Sequence, residues 1–119
     1  MTALEIEAAR RTGYWLLTLR GELDRQTQPE LAAALRALLD GPGRPHIVCD
    51  VGGLAFCDSS GLRSLLVAHQ RAQERGGGLR LVEVRASLAS LLEITRLAEE
   101  LPAYDDLDHA TSGLTHRPE

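Results

Sequence analysis

The sequence predicts an α/β fold: a mainly parallel central sheet with an antiparallel hairpin at its edge and about four helices. Short apolar stretches typical of strands alternate with longer stretches of helical spacing. Glycine- and proline-rich breaks separate them. One strand-like stretch carries apolar residues at adjacent positions, as a strand buried on both faces does. The predicted order is β-β-α-β-α-β-α.

The first two strands are indicated by residue alternation and a turn. Leu4, Ile6 and Ala8 alternate with glutamates, which is typical of a half-exposed strand. A Thr-Gly pair at residues 12–13 favours a turn, and the apolar stretch 15–19 after it is the expected hairpin partner.

The first helix is predicted by its start signal and its leucine spacing. Thr27 and Glu30 have the spacing of a capping box, in which the hydroxyl and the carboxylate bind free N–H groups of the first turn. Pro29 is tolerated there because early N–H groups lack helical partners. The apolar face contains Leu31, Leu35, Leu38 and Leu39. Residues 41–45, Gly-Pro-Gly-Arg-Pro, end the helix.

The central strand and the second helix follow directly. The stretch 46–51 has adjacent apolar residues and reads as a strand buried on both faces. After Asp58 the pattern becomes helical, and three glycines at 76–78 stop the helix because glycine adopts the left-handed conformation readily. The predicted apolar face of this helix contains Leu62, Leu65, Leu66, His69 and Ala72.

The last third of the chain carries weaker signals. Residues 79–84 alternate as a strand, and residues 87–96 have helical spacing with Leu88, Leu91, Leu92 and Thr95 on one face. Tyr104 is assigned to a final short strand, and residues 108–114 to a last helical turn.

Length and charge restrict the class of protein. The 119 residues correspond to one domain, with predicted bounds 1–119 and a core from about residue 4 to about residue 114. A net charge of -4 argues against nucleic-acid binding, which normally needs a clustered positive surface. All 13 basic residues are arginines, so lysine-dependent chemistry such as a P-loop or a Schiff base is excluded.

Neither a membrane segment nor a disulfide framework is indicated. The N-terminus does not read as a signal peptide, and no apolar run approaches the ~20 residues that span a bilayer. The only cysteines are Cys49 and Cys57, and both are expected to be reduced. We expect a cytoplasmic protein without membrane insertion, either a monomer or a weak dimer.

The segment Asp58-Ser59-Ser60-Gly61 permits two interpretations. In the first, an Asp or Ser side chain simply caps the helix that follows. In the second, a serine at the carboxyl end of a strand, where open α/β sheets place their binding sites, is chemically modified. A phosphate there would add a charge of roughly -1.5 to -2, which a helix N-terminus tolerates.

Metal binding and cofactor binding are not predicted. His46, His109 and His116 have no metal-ligand spacing with one another or with the cysteines. His69 is interpreted as a packed core histidine because it lies on an apolar helix face. The acidic residues at 105–108 are interpreted as a solvated loop and helix start.

The order of these motifs resembles a known family. Gly21-Glu22-Leu23-Asp24, a helix, a buried strand, the stretch from Phe56 to Leu62, a glycine stop and a further strand and helix follow one another. The chain thereby closely resembles the STAS-domain anti-sigma factor antagonists of bacterial partner-switching systems, from about residue 4 to about residue 114.

The resemblance implies a phosphorylation site and a partner-binding surface. In this family the serine after the aspartate is phosphorylated by an anti-sigma factor that is itself a serine kinase, and a PP2C-type phosphatase removes the phosphate. The acceptor is then Ser59. Arg63 departs from the family pattern, since many relatives have a small residue there. The expected partner-binding residues are Asp24, Asp58, Ser59, Ser60, Gly61, Leu62 and Arg63.

By the same resemblance, the protein is a ligand and a substrate and not an enzyme. Unmodified, it would bind the anti-sigma factor and release a sigma factor, and phosphorylation would abolish binding. The alternative is a STAS scaffold that is not phosphorylated, as an interaction subunit of a signalling or lipid-transport assembly.

A serine hydrolase is disfavoured because Ser59 and Ser60 lack a G-x-S-x-G context. A phospho-aspartate receiver is disfavoured by the absence of lysine.

Overall fold

A computed structural model describes residues 3–114. The strands are β1 (Leu4–Arg11), β2 (Tyr14–Leu23), β3 (His46–Cys57), β4 (Gly78–Val82) and β5 (Ala103–Tyr104). The α-helices are α1 (Gln28–Leu39), α2 (Ser59–Glu74), α3 (Ala86–Thr95) and α4 (Leu107–Ala110), and a short 3-10 turn spans Leu97–Glu99.

The strands form one mixed sheet in the order β1-β2-β3-β4-β5. The hairpin β1–β2 is antiparallel, and every other neighbouring pair is parallel. The predicted α/β fold, with a mainly parallel sheet, an antiparallel edge hairpin and about four helices, is therefore confirmed. Because β2, β3 and β4 run parallel, their carboxyl ends meet at one edge of the sheet, where β3 leads into α2.

The core lies mainly on one face of the sheet. Leucines of α1, α2 and α3 pack there against alternate residues of the strands, among them Ile47 and Cys49 of β3. Val48 points to the opposite face, where it packs with Val82, Tyr14 and Ala110 of α4. The prediction that the central strand is buried on both faces is thus confirmed.

Strand β3 is longer than the predicted stretch 46–51. It extends to Cys57 because its second half continues to pair with the end of β2, through register irregularities near Thr18 and Gly21. Val51, Leu54 and Cys57 are buried along this extension. The sequence did not indicate this extension because Gly52 and Gly53 follow residue 51, and glycine has low strand propensity.

The capping box predicted for α1 does not form. The helix begins after Thr27, but the threonine hydroxyl accepts a hydrogen bond from the backbone N–H of Asp24 (3.0 Å) and donates to the carbonyl of Glu22 (2.9 Å). The hydroxyl therefore stabilises the turn before α1 and not its first N–H groups. Glu30 is exposed and makes no capping hydrogen bond.

The glycine stop after α2 is confirmed. Gly76 has a φ of +82°, in the left-handed region that favours glycine. At Gly77 a Cβ would come within 1.9 Å of the carbonyl oxygen of Pro45, so only glycine fits. Strand β4 then ends at Val82, earlier than predicted, because Glu83 has a φ of +65°. The last helix is also shorter than predicted and ends at Ala110.

His69 is a packed core residue, as predicted. It is buried on α2, and its Nδ1 accepts a hydrogen bond from the backbone N–H of Leu79 in β4 at 2.9 Å. Burial lowers the pKa of His69, so the neutral ring that accepts this bond persists at neutral pH. The side chain thereby fastens α2 to the sheet.

The lowered pKa of His69 predicts a loss of stability in mild acid. The unfolded chain protonates its histidines below about pH 6.5, before the folded chain does, so the free energy of unfolding falls as the pH drops below that value. His46 acts in the same direction, because burial and then the charges of Arg80 and Arg44 lower its pKa.

The variant His69→Gln keeps an acceptor for the Leu79 N–H but cannot be protonated. Its free energy of unfolding, measured by denaturant titration, should fall less than that of the wild type between about pH 7 and about pH 5. An identical pH slope for the two proteins would contradict this role of His69.

Candidate functional site

Asp58 lies between β3 and α2 and caps the helix. Its backbone is extended, with φ -102° and ψ -177°. The carboxylate oxygen Oδ1 accepts hydrogen bonds from the backbone N–H groups of Ser60 (3.0 Å) and Gly61 (3.1 Å). Two of the N–H groups that lack helical partners are thus satisfied, as the cap interpretation of this segment predicts.

The two serines that follow have different roles in this geometry. The Ser60 hydroxyl donates to Oδ1 of Asp58 at 2.6 Å and is half-buried. Ser59 is exposed, and its hydroxyl takes part in none of the side-chain hydrogen bonds among residues 3–114. Ser59 is therefore the serine that a reagent from solution can reach.

The pKa of Asp58 is lowered by its surroundings. Desolvation opposes ionisation, but the hydrogen bonds from the Ser60 hydroxyl and from the N–H groups of Gly61 and Ser60, with a smaller contribution from the backbone of Arg25, outweigh it and lower the pKa. The carboxylate thus stays ionised beside Ser59 at neutral pH.

The structure brings the turn that contains Asp24 next to this helix start. Leu23 at the end of β2 is paired with Cys57 at the end of β3, and the backbone N–H of Asp58 donates to the carbonyl of Leu23 at 3.1 Å. Asp24 and Asp58 thus leave neighbouring strands side by side. The Asp24 carboxylate also closes its own turn, since it accepts from the N–H groups of Gln26 (2.9 Å) and Thr27 (3.1 Å).

Gly61 and Leu62 are buried beneath the helix start. At Gly61 a Cβ would come within 2.5 Å of Cγ and 2.7 Å of Cδ2 of Leu23. The absence of a side chain lets the first turn of α2 lie directly on the end of β2. Contact of Gly61 and Leu62 with a partner stays a prediction. In the structure these two residues pack the first turn of α2 against the sheet.

Arg63 is exposed and lines a groove between α1 and α2. The groove has a volume of about 330 Å³, an apolar floor that includes Leu35 and Val67, and two further arginines, Arg36 and Arg71. None of the carboxylates of residues 3–114 lines it, although the chain is acidic overall. The site thus joins an acidic rim at Asp24 and Asp58 to a basic groove, which the sequence did not indicate because α1 and α2 are distant in the chain.

Phe56 is a further surface residue at this site, and its role was not predicted. It lies two residues before Asp58 and is 42% exposed, which is unusual for a large apolar side chain. No sequence signal indicated this exposure, because the predicted strand covered residues 46–51 and Phe56 lay outside it.

Cys57 lies beneath the same surface. Burial, and secondly the Asp58 charge, raise the pKa of its thiol to about 12, although the backbone of Leu62 acts in the opposite direction. The thiol is therefore protonated at neutral pH, and thiolate chemistry is disfavoured there.

The described part of the chain contains neither a cluster of metal-ligating side chains nor a membrane-spanning helix. Among residues 3–114, no group of three or more His, Cys, Asp or Glu side chains is placed to hold a metal ion. Over the same residues, none of the helices has the length and apolar character needed to cross a bilayer.

Comparisons of the sequence identify similar proteins. Residues 8–103 match the family described as Mlab, STAS domain. The chain is 29% identical over 111 residues to the anti-sigma F factor antagonist of Paenibacillus polymyxa, an alignment that covers 93% of this chain and 95% of the relative.

Solved structures share the fold. An anti-sigma factor antagonist from Mycobacterium paratuberculosis superposes with a TM-score of 0.83 at 23% identity, over 96% of each chain. SpoIIAA, an anti-sigma factor antagonist and Bacillus cell fate determinant, has been solved in two forms, both 19% identical over 92% of this chain. The unphosphorylated form gives a TM-score of 0.73 over 95% of that chain, and the phosphorylated form 0.68 over 97% of it.

The close packing at Gly61 predicts that Gly61→Ala destabilises the fold. The added methyl group would overlap the fully buried Leu23, and overpacking of this kind costs about 1–3 kcal/mol. Gly41→Ala is the matched control, because its nearest contact is 3.5 Å away and its φ is not positive, so it should be neutral or slightly stabilising. Denaturant unfolding measures both, and equal stability of Gly61→Ala and the wild type would contradict the packing argument.

Proposed function

The chain belongs to the STAS-domain family, and from that premise we propose that it is an anti-sigma factor antagonist switched by phosphorylation of Ser59. In the unmodified state it binds an anti-sigma factor that has serine kinase activity, and the sigma factor is released. The kinase phosphorylates Ser59 and binding is lost, and a PP2C-type phosphatase restores the first state. The chain is the ligand and substrate in this cycle, and the kinase supplies the catalytic groups.

The observation that carries this proposal is the difference between the two serines. Ser59 presents an exposed hydroxyl at the first position of α2, whereas the Ser60 hydroxyl is held by Asp58 at 2.6 Å. Further support comes from the 29% identical relative from Paenibacillus polymyxa, which is named an anti-sigma F factor antagonist, and from the two solved phosphorylation states of SpoIIAA.

The modification is an ordinary phosphoryl transfer. Oγ of Ser59 bonds to the γ-phosphorus of ATP held by the kinase, the bond from that phosphorus to the ADP oxygen breaks, and the hydroxyl proton passes to a base of the kinase. Ser59 needs only to be reachable, and its exposure on the first turn meets that requirement.

The fold can accept the phosphate without rearrangement. Ser59 stands where the helix dipole is positive, which favours an added negative charge. The hydrogen bonds that start α2 are made by Asp58, Ser60 and Gly61, so none of them requires the Ser59 hydroxyl.

A bound partner would be affected much more strongly. The phosphate adds a charge of roughly -1.5 to -2 to a rim that already carries Asp24 and Asp58. A partner packed on this rim would meet repulsion from its own acidic groups or a costly desolvation of the phosphate. A loss of about 3 kcal/mol weakens binding more than a hundredfold, which is sufficient for a switch.

The choice of serine can be tested by phosphorylation in vitro. The wild type, Ser59→Ala and the matched variant Ser60→Ala are incubated with candidate anti-sigma factor kinases and ATP, and phosphate is located by peptide mass spectrometry. We expect label on Ser59 in the wild type and in Ser60→Ala, and none in Ser59→Ala. Label confined to another residue would overturn the assignment.

The charge mechanism can be tested by binding. In the absence of ATP, Ser59→Ala should bind the kinase as tightly as the wild type does. Ser59→Asp should bind more weakly, since one carboxylate imitates part of the phosphate charge. Isothermal titration calorimetry measures both affinities, and denaturant unfolding shows that both variants are folded. Equal affinities of the two variants would rule out a charge switch at this position.

A further inference from the structure

Strand β1 is an edge of the sheet. Its eight residues pair with β2 on one side, and no other strand among residues 3–114 pairs with it on the other side. The outer side therefore presents backbone N–H and C=O groups that are free to pair with another strand. The opposite edge, β5, is only two residues long.

The charges along β1 are arranged by sign. Glu5 and Glu7 lie in its first half and Arg10 and Arg11 in its second half, and all four side chains are exposed. If all the charges on an edge strand had the same sign, they would repel one another when two copies of the strand paired, and pairing would be prevented. This strand instead carries opposite signs at its two ends, with Ala8 between them.

Two-fold symmetry restricts how two such strands can pair. Antiparallel pairing of two identical edges needs an axis perpendicular to the sheet, which keeps each face of the sheet on the same side in both copies. Residues that lie opposite each other in the two strands must then point to the same face of the sheet. The axis therefore passes between the two copies of one residue, and we call this an axis through that residue.

The axis through Ala8 places opposite charges across the interface and no like charges opposite each other. Glu5 of each copy then lies opposite Arg11 of the other, on the face away from α1, and the small Ala8 side chains meet at the axis. On the helix face, Ile6 lies opposite Arg10, whose guanidinium stands over Trp15 at 5.4 Å and whose aliphatic stem can cover the half-buried isoleucine.

Neighbouring axes are less favourable. An axis through Glu7 places two glutamates opposite each other, which is destabilising. An axis through Ala9 places Glu7 opposite Arg11, but Glu7 already pairs with Arg20 at 3.4 Å within its own chain. That axis also leaves Glu5 opposite Gly13, in the turn beyond the strand.

We propose that the outer edge of β1 is a dimerisation surface and that its occupant is β1 of a second copy of this chain, paired antiparallel about Ala8. The two sheets form one ten-stranded sheet with α1, α2 and α3 of both copies on the same face. The two Ser59 sites lie at opposite ends of it, because the copies run in opposite directions. The dimer therefore leaves both sites open, and it stands or falls independently of the proposed function.

The test is a charge exchange measured by sedimentation equilibrium of the unphosphorylated chain over a series of concentrations. Glu5→Arg alone and Arg11→Glu alone each place like charges opposite each other twice, and each should weaken dimerisation by about tenfold or more. The double variant Glu5→Arg/Arg11→Glu restores opposite charges, so its dimerisation should return close to that of the wild type. Arg71→Glu on α2 makes the same charge change away from β1 and should have no effect.

Three results would each overturn the proposal. The first is a wild type that stays monomeric up to about 1 mM, a concentration at which even weak association is visible. The second is a dimer that neither single variant weakens, which would place the interface elsewhere. The third is a double variant that remains as weak as the single variants, which would exclude the pairing of Glu5 with Arg11. Both side chains are exposed, and circular dichroism verifies that each variant is folded.

Discussion

The hydrogen bonds that Asp58 accepts at the start of α2 are the interaction on which the candidate site depends. One carboxylate oxygen binds two backbone N–H groups and the Ser60 hydroxyl. The same contacts start the helix, occupy Ser60 and leave Ser59 as the exposed hydroxyl. The two interpretations of this segment, a helix cap and a modification site, are therefore compatible, since the cap is what selects and presents the serine.

The position of this cap is set by the packing below it. Gly61 lets the first turn of α2 lie against Leu23, and the N–H of Asp58 binds the carbonyl of the same leucine. The helix start is thereby fixed to the end of β2, from which the Asp24 turn leaves. The Asp24 turn, Ser59 and the mouth of the basic groove at Arg63 therefore lie next to one another, and under the proposed function a partner would contact them together.

Local sequence signals predicted the order of the elements, the start of α2 and the core role of His69, because strong periodicity, a capping aspartate and glycine stops are encoded within a few residues. Features that depend on distant parts of the chain were missed. Strand β3 continues past residue 51, through Gly52 and Gly53, because it pairs with the end of β2. The Thr27 hydroxyl binds Glu22 and Asp24 and not its own helix. The groove at Arg63 exists only once α1 and α2 are packed together.

Whether phosphorylation changes only the charge of the surface, and not the fold, is tested most directly by the amide NMR spectrum of the chain before and after quantitative phosphorylation of Ser59. If the helix start is held without the Ser59 hydroxyl, the amide shifts should change only near Ser59 and in the neighbouring turn at residues 24–27, and the core amides of β3 and β4 should stay in place. Shift changes throughout the sheet, or loss of the first turn of α2, would contradict the proposed charge switch. The phosphate would then act by changing the fold and not by changing the charge of the surface.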